Sequence, residues 1–302
     1  MCRSRFKPRL HEPQWTAIVP ALLPWTTRES ALTTTSVNLA AYFERIGFTA
    51  PAPATLETLR AIQFHHACSI PFENLDVLLN RGIALDLESL QNKLITNRRG
   101  GYCFEQNWLL LHVLRDLGFR ATPLAARVRF RQPRDFVPPR THIFVRVDLD
   151  GEQWLADVGV GGLSPTAPIR FVVDEEQSSP HEPRRIVREN ERFYHQVKLA
   201  GVWEDVCEFT GEEMYAIDRE VGNWWTSTNP NSKFAQNIMA ARANPDGTRF
   251  VLENQNFTHR RANDGHVLGT VGIKESAQLL DILGRHFGLS FPAETKFGIH
   301  GL

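Results

Sequence analysis

Residues 142–159 read HIFVRVDLDGEQWLADVG. Ile143, Val145, Val147 and Leu149 recur at every second position, the period of a strand with one face on a core. Asp150-Gly151 supplies a two-residue hairpin turn, because such turns need positive φ and Asp-Gly accepts it. Trp154 to Val160 then returns as the second strand. With a two-residue turn, facing positions add up to 301, so His142 faces Gly159 and Phe144 faces Asp157. His142 and Asp157 then share a face as diagonal neighbours, with backbones roughly 7–8 Å apart and side chains closer. That separation lets a carboxylate hold an imidazole N–H, and Gly159 leaves room for the ring. A loop one residue longer would turn one strand over and part the two. The plainer alternative is a strand-end aspartate and a satisfied polar histidine. Acidic residues are depleted in strands, however, so Asp157 between Ala156 and Val158 calls for a specific partner.

Upstream of this hairpin the period is helical. Leu39, Tyr42, Phe43 and Ile46 recur at helical spacing and stop at Gly47. Thr55 to Cys68 and Leu87 to Ile95 repeat the pattern. A fourth helix starts near Cys103, runs through Phe104, Trp108, Leu111 and Leu114, and ends at Gly118. Downstream, strands are expected at Ala121 to Phe130, Arg185 to Leu199 and Val202 to Phe209, the last two turning at Ala200-Gly201. The final third mixes short strands (Arg249 to Glu253, Phe257 to Arg261, His266 to Ile273) with a helix from about Glu275 to Phe287. Helices, then strands, then a mixed end predict an α+β protein of about three subdomains. Residues 1–36 differ: Pro8, Pro13, Pro20 and Pro24 interrupt any regular element. A poorly ordered N-terminal extension is expected there; Ala17 to Leu23 is too short and too proline-interrupted for a signal peptide. Removing the extension leaves 266 residues with a formal charge of −3, against the balanced 34 basic and 34 acidic residues of the whole chain.

That balance argues against a general nucleic-acid or anionic-membrane binder, and no apolar run approaches a membrane span. The four cysteines show neither a disulfide framework nor a zinc spacing, which suits a reducing compartment such as the cytoplasm. Cys103 stands out among them. It follows Arg98-Arg99-Gly100-Gly101-Tyr102, where two glycines allow a tight turn, and it opens a helix. Unpaired N–H groups and the positive end of the helix dipole favour a thiolate there. The plainer reading of Cys103 is a small buried hydrophobe. Packing is the expectation for Cys68 and Cys207, and Cys2 lies in the extension. A cysteine nucleophile wants a histidine base and a group to orient it, which the hairpin offers. Other motifs are weaker. Gly159-Val160-Gly161-Gly162 lacks the following helix of a phosphate loop, so a tight bend is expected. His65, His66 and Cys68 read as core or helix-surface residues, and Trp224-Trp225 as buried packing.

Taken together, Arg99-Gly100-Gly101-Tyr102-Cys103-Phe104-Glu105-Gln106-Asn107, Thr141 to Val147 and Asp157 to Gly161 resemble the signature blocks of the arylamine N-acetyltransferases. Ile70 to Asp76 resembles a fourth block. The intervals of 39 and 15 residues between Cys103, His142 and Asp157 match as well. The resemblance covers about Val37 to Leu302. It implies a helical bundle (37–119), a β-barrel (120–222) and an interdomain segment with an α/β lid (223–302), with a Cys-His-Asp triad similar to that of papain and transglutaminase folds. It implies Cys103 as nucleophile, His142 as base and Asp157 as orienter. Acetyl-CoA is the implied cosubstrate, an arylamine or arylhydrazine the acceptor, and the chemistry ping-pong, with no metal. Phe72, Val160 and Phe234 fall at positions that line the family's substrate pocket; Val160 replaces a common phenylalanine, so a wider pocket is expected. Thr141 and Ser232 lie in segments resembling those that contact CoA or substrate. A cysteine hydrolase or transglutaminase-like enzyme would use the same triad, and a non-enzymatic binding module would need none of it.

Overall fold

The computed structural model describes residues 36–299 and 301–302; the expected N-terminal extension lies outside these apart from Ser36. Helix α1 (Leu39–Ile46) is capped by the Asn38 side chain and ends on Gly47 at φ 67°. Helix α2 (Leu56–Ser69) starts where Thr55 Oγ1 accepts from Thr58 N. Short β1 (Phe72–Glu73) and α3 (Leu75–Leu78) follow. The expected helix at 87–95 is split into α4 (Leu87–Leu90) and a π-helical turn, Gln91–Thr96. From that widened turn Lys93 reaches both Asp76 and Glu105. Helix α5 (Cys103–Asp116) closes the bundle and is buried along most of its length.

Next comes a seven-stranded antiparallel sheet: β2 (Arg120–Val128), β3 (His142–Leu149), β4 (Glu152–Ala156), β5 (Ile169–Arg170), β6 (Arg184–Glu189), β7 (Arg192–Leu199) and β8 (Val202–Glu213). Its order is β5-β4-β3-β2-β8-β7-β6. Bridges from Val173 to Ile186 and from Gln177 to Arg184 link its two ends, which makes the sheet a nearly closed barrel. The β3–β4 register is the one expected, Val145 facing Ala156 and Leu149 facing Glu152. The expected strand from Arg185 to Leu199 is instead a hairpin, broken at Asn190, whose φ of 55° suits a turn residue.

Helices α6 (Ala216–Thr228) and α7 (Lys233–Gln236) lead into a second sheet. It joins β1 to β9 (Met239–Ala243), β10 (Thr248–Glu253), β11 (Asn256–Arg261) and β12 (Val267–Gly272). Helix α8 (Ser276–Phe287) covers this sheet with Leu279, Ile282, Leu283 and Phe287. The largest core lies where α5 packs on the barrel, with Leu110, Val113 and Leu114 among Ile143, Val145 and Val147. The pair Trp224-Trp225 departs from expectation. Helix α6 turns Arg219, Gly222 and Thr226 inward, so Trp224 is 63% exposed and only Trp225 is half-buried. Among the described residues no helix is long and apolar enough to cross a membrane.

Candidate active site

Cys103 is the first residue of α5 and is 3% exposed. The loop before it is fixed by backbone and side chain alike. Gln106 Nε2 donates to the carbonyls of Pro71 (2.9 Å) and Gly101 (3.0 Å), while Glu105 Oε2 accepts from Tyr102 N (3.0 Å). Gly100 and Gly101 serve close approach rather than the tight turn expected. A Cβ on Gly100 would stand 2.1 Å from Pro71 O, and one on Gly101 2.7 Å from Glu105 Oε2. Arg99 clamps Glu73 and Asp76 beneath the loop.

His142 is the first residue of β3, paired with Ala126 of β2, and Asp157 directly follows β4. His142 Nε2 donates to Asp157 Oδ2 at 2.8 Å, with both side chains buried. That leaves Nδ1 as the ring nitrogen for the thiol. The Cys103 thiol donates to Thr141 O at 3.4 Å, in the residue next to His142. Burial works against charge on His142, yet the Asp157 carboxylate, aided by hydrogen bonding to Cys103, outweighs it and raises the imidazole well above its usual value. Burial likewise opposes charge on Asp157, but His142, Asn107 and the Gly159 N–H hold its carboxyl below the usual range. The arrangement suits an ion pair of base and orienter beside a nucleophile.

Two further residues serve this constellation and carried no role in the sequence. Asn107 Nδ2 donates to Asp157 Oδ1 (2.8 Å) and Ile143 O, and its Oδ1 accepts from Val158 N (2.9 Å). It lies one turn along α5 from Cys103, the spacing that could have pointed to it. Gln63 on α2 donates to Asp157 O (3.3 Å) and Pro165 O (3.1 Å). Gly159 does leave room, but for Cys103: an added Cβ would meet Cys103 Cα and Asn107 Nδ2, each at 2.7 Å.

Phe72 and Phe234 pair with ring centroids 6.1 Å apart, and Phe234 meets Tyr102 edge-on at 5.4 Å. Phe72 also faces Gly161, in the short 3-10 turn Gly161–Leu163 that stands where a phosphate loop was excluded. Val160 follows Gly159 directly, half-buried and packed toward the barrel cluster of Leu163, Val197 and Val206. Ser232 is fully buried; its hydroxyl donates to Thr226 O and accepts from Phe234 N, capping the helix that carries Phe234. His66 bridges Tyr42 and Gln106, and burial pushes it down to about 4, the state of a neutral core residue. Burial pushes the thiols of Cys68 and Cys207 up, as inert packing cysteines. Among the described residues no group of His, Cys, Asp and Glu is arranged to hold a metal ion.

A family model described as N-acetyltransferase matches residues 55–296. An arylamine N-acetyltransferase of Escherichia coli is 41% identical over 248 residues, covering 82% of this chain and 87% of that protein. A solved structure of arylamine N-acetyltransferase from Salmonella typhimurium superposes with a TM-score of 0.79 at 37% identity, covering 89% of this chain and 96% of that one. The Mycobacterium marinum arylamine N-acetyltransferase in complex with CoA superposes with a TM-score of 0.79 at 35% identity, covering 83% and 92%.

Proposed function

The chain belongs to the arylamine N-acetyltransferase family, and from that premise we propose how it carries an acetyl group from acetyl-CoA to an arylamine or arylhydrazine. His142, which binds a proton well above its usual range, keeps the Cys103 proton, so Sγ attacks the acetyl-CoA carbonyl as a thiolate. The tetrahedral intermediate collapses, CoA leaves with that proton, and an acetyl thioester stays on Cys103. The amine nitrogen then attacks the thioester carbonyl and gives its proton to His142. Cys103 returns as thiolate beside the protonated imidazole. Splitting the transfer this way exchanges one difficult step for two easier ones. Asp157 holds the imidazole in one tautomer and offsets its charge in both halves.

The observation that carries this reading is Cys103 at the head of α5, beside a buried His142–Asp157 pair 2.8 Å apart. Phe72, Phe234 and Val160 form the wall that receives the aromatic acceptor. Thr141 holds the thiol by its carbonyl, and Ser232 acts indirectly, by fixing Phe234. The buried free cysteines suit a reducing compartment, and we place the enzyme in the cytoplasm.

Incubation with labelled acetyl-CoA tests the proposal. Label is expected on Cys103, and an arylhydrazine is expected to discharge it. A wild-type protein that forms no adduct, or a Cys103→Ala variant labelled equally well, would overturn the reading.

A further inference from the structure

Glu182 is fully buried in the long connection between β5 and β6, with three guanidiniums around it. Arg249 of β10 donates to both its oxygens, from Nε at 2.7 Å and from Nη2 at 2.6 Å. Arg184 of β6 donates at 3.0 Å, and Arg260 of β11 stands 3.6 Å away. One carboxylate against three cations is unbalanced for a structural ion pair, since each buried charge costs several kcal/mol to desolvate.

Two of the three guanidiniums aim further donors at one short stretch of backbone. Arg249 Nη2 donates to Ser164 O at 2.9 Å, and Arg260 Nη2 donates to Gly162 O at 3.1 Å. Ser164 Oγ in turn accepts from Val160 N at 3.0 Å, which closes the turn on itself. The second sheet also touches this turn directly, because a Cβ on Gly162 would lie 3.1 Å from Val251 of β10. On its other side the turn meets Phe72 through Gly161. The catalytic pair has its own anchors: Asp157 is held by Asn107, the Gly159 N–H and Gln63, none of which hydrogen-bonds to the arginine cluster, although Gln63 also donates to Pro165 O beside the turn.

We infer that Glu182, Arg249 and Arg260 are positioning residues for the acceptor amine: through them the lid sheet fixes the turn Val160–Ser164 and so sets the width of the amine pocket. The inference rests on reading Cys103 as the acetyl carrier and Val160 with Phe72 as pocket wall. It separates the two halves of the reaction. Loosening the turn impairs amine binding while leaving acetylation of Cys103 intact.

Arg260→Met is the variant of choice. It removes a cation from an overcharged cluster and strands no buried charge, whereas Glu182→Gln would leave the arginines uncompensated. Acetylation of Cys103 by acetyl-CoA is measured without amine, and the amine KM is measured separately. We expect an acetylation rate within about 2-fold of wild type, an amine KM raised about 5-fold or more, and recovery of most of that loss in Arg260→Lys, which retains a donor. An unchanged amine KM, or acetylation falling in step with it, overturns the inference and leaves the transferase reading standing. A wild-type Cys103 that acetyl-CoA does not acetylate overturns both.

Discussion

Asp157 accepts at both oxygens: Oδ1 from Asn107 Nδ2 and the Gly159 N–H, each at 2.8 Å, and Oδ2 from His142 Nε2. Those donors, with the imidazole, keep a buried carboxyl charged. Asp157→Asn preserves its volume but replaces one acceptor with an NH2 group, so a donor must face a donor and the imidazole loses its tautomer. We expect the acetylation rate to fall at least about 10²-fold. Stopped-flow measurement of CoA release checks it, and near-normal turnover would remove Asp157 from the mechanism. The three principal residues were legible in the sequence for different reasons. Cys103 sits in a local motif, while His142 and Asp157 are joined by hairpin register, which Asp150-Gly151 fixes. Gln63 left no such trace, because its bond to Asp157 spans 94 residues and any buried amide looks alike in sequence.

At the scale of elements, the head of α5 depends on charge as much as on shape. Burial pushes Glu105 up, even against Lys93, whose Nζ lies 2.6 Å from it and 2.8 Å from Asp76. Lys93→Met would leave both carboxylates short of a partner in a dry setting. A loss of about 3–5 kcal/mol in urea unfolding is expected, on the scale of breaking a buried pair; a change within about 1 kcal/mol would show that Lys93 is not what compensates them. Elements whose buried face is apolar, such as α5, α8 and the β3–β4 hairpin, were readable from their periodicity. Helix α6 was not: Ile217, Val221 and Trp224 mark an apolar stripe, but it faces solvent, and Arg219 lies inward over the Trp108 ring at 3.6 Å. Strand β9 escaped because Met239-Ala-Ala-Arg-Ala lacks the β-branched and aromatic residues that signal a strand. The π-helical turn has the same apolar spacing as an ordinary helix over so short a run.

Across the whole molecule, three buried histidines govern how it meets acid. Burial, reinforced by Arg45, Arg249 and Arg184 respectively, pushes His66 and His181 down to about 4 and His195 to about 3. The unfolded chain binds protons at these sites near 6.5 while the folded one does not. The stability they contribute is therefore whole above pH 6.5 and is lost as pH falls toward 4, at about 1.4 kcal/mol per pH unit for each histidine. Glu182, held down to about 2, adds to the loss below 4.5. His142 runs the other way: its folded value is raised, so its contribution is whole below pH 6.5 and is lost only as pH rises through about 10. Thermal unfolding followed from about pH 8 down to about pH 4.5 should show the midpoint dropping once below about 6.5; a flat midpoint to the acid end would refute this. Another whole-molecule consequence follows from the absent Cβ of Gly159, which brings the barrel's backbone against Cys103 Cα. The thiol sits on α5, and the groups that would activate it sit on the β3–β4 hairpin. During synthesis the helix that carries the cysteine emerges before the hairpin, and until the two have packed its cysteine has neither base nor orienter. Reactivity is thus withheld from a newborn or half-unfolded molecule until its parts have met.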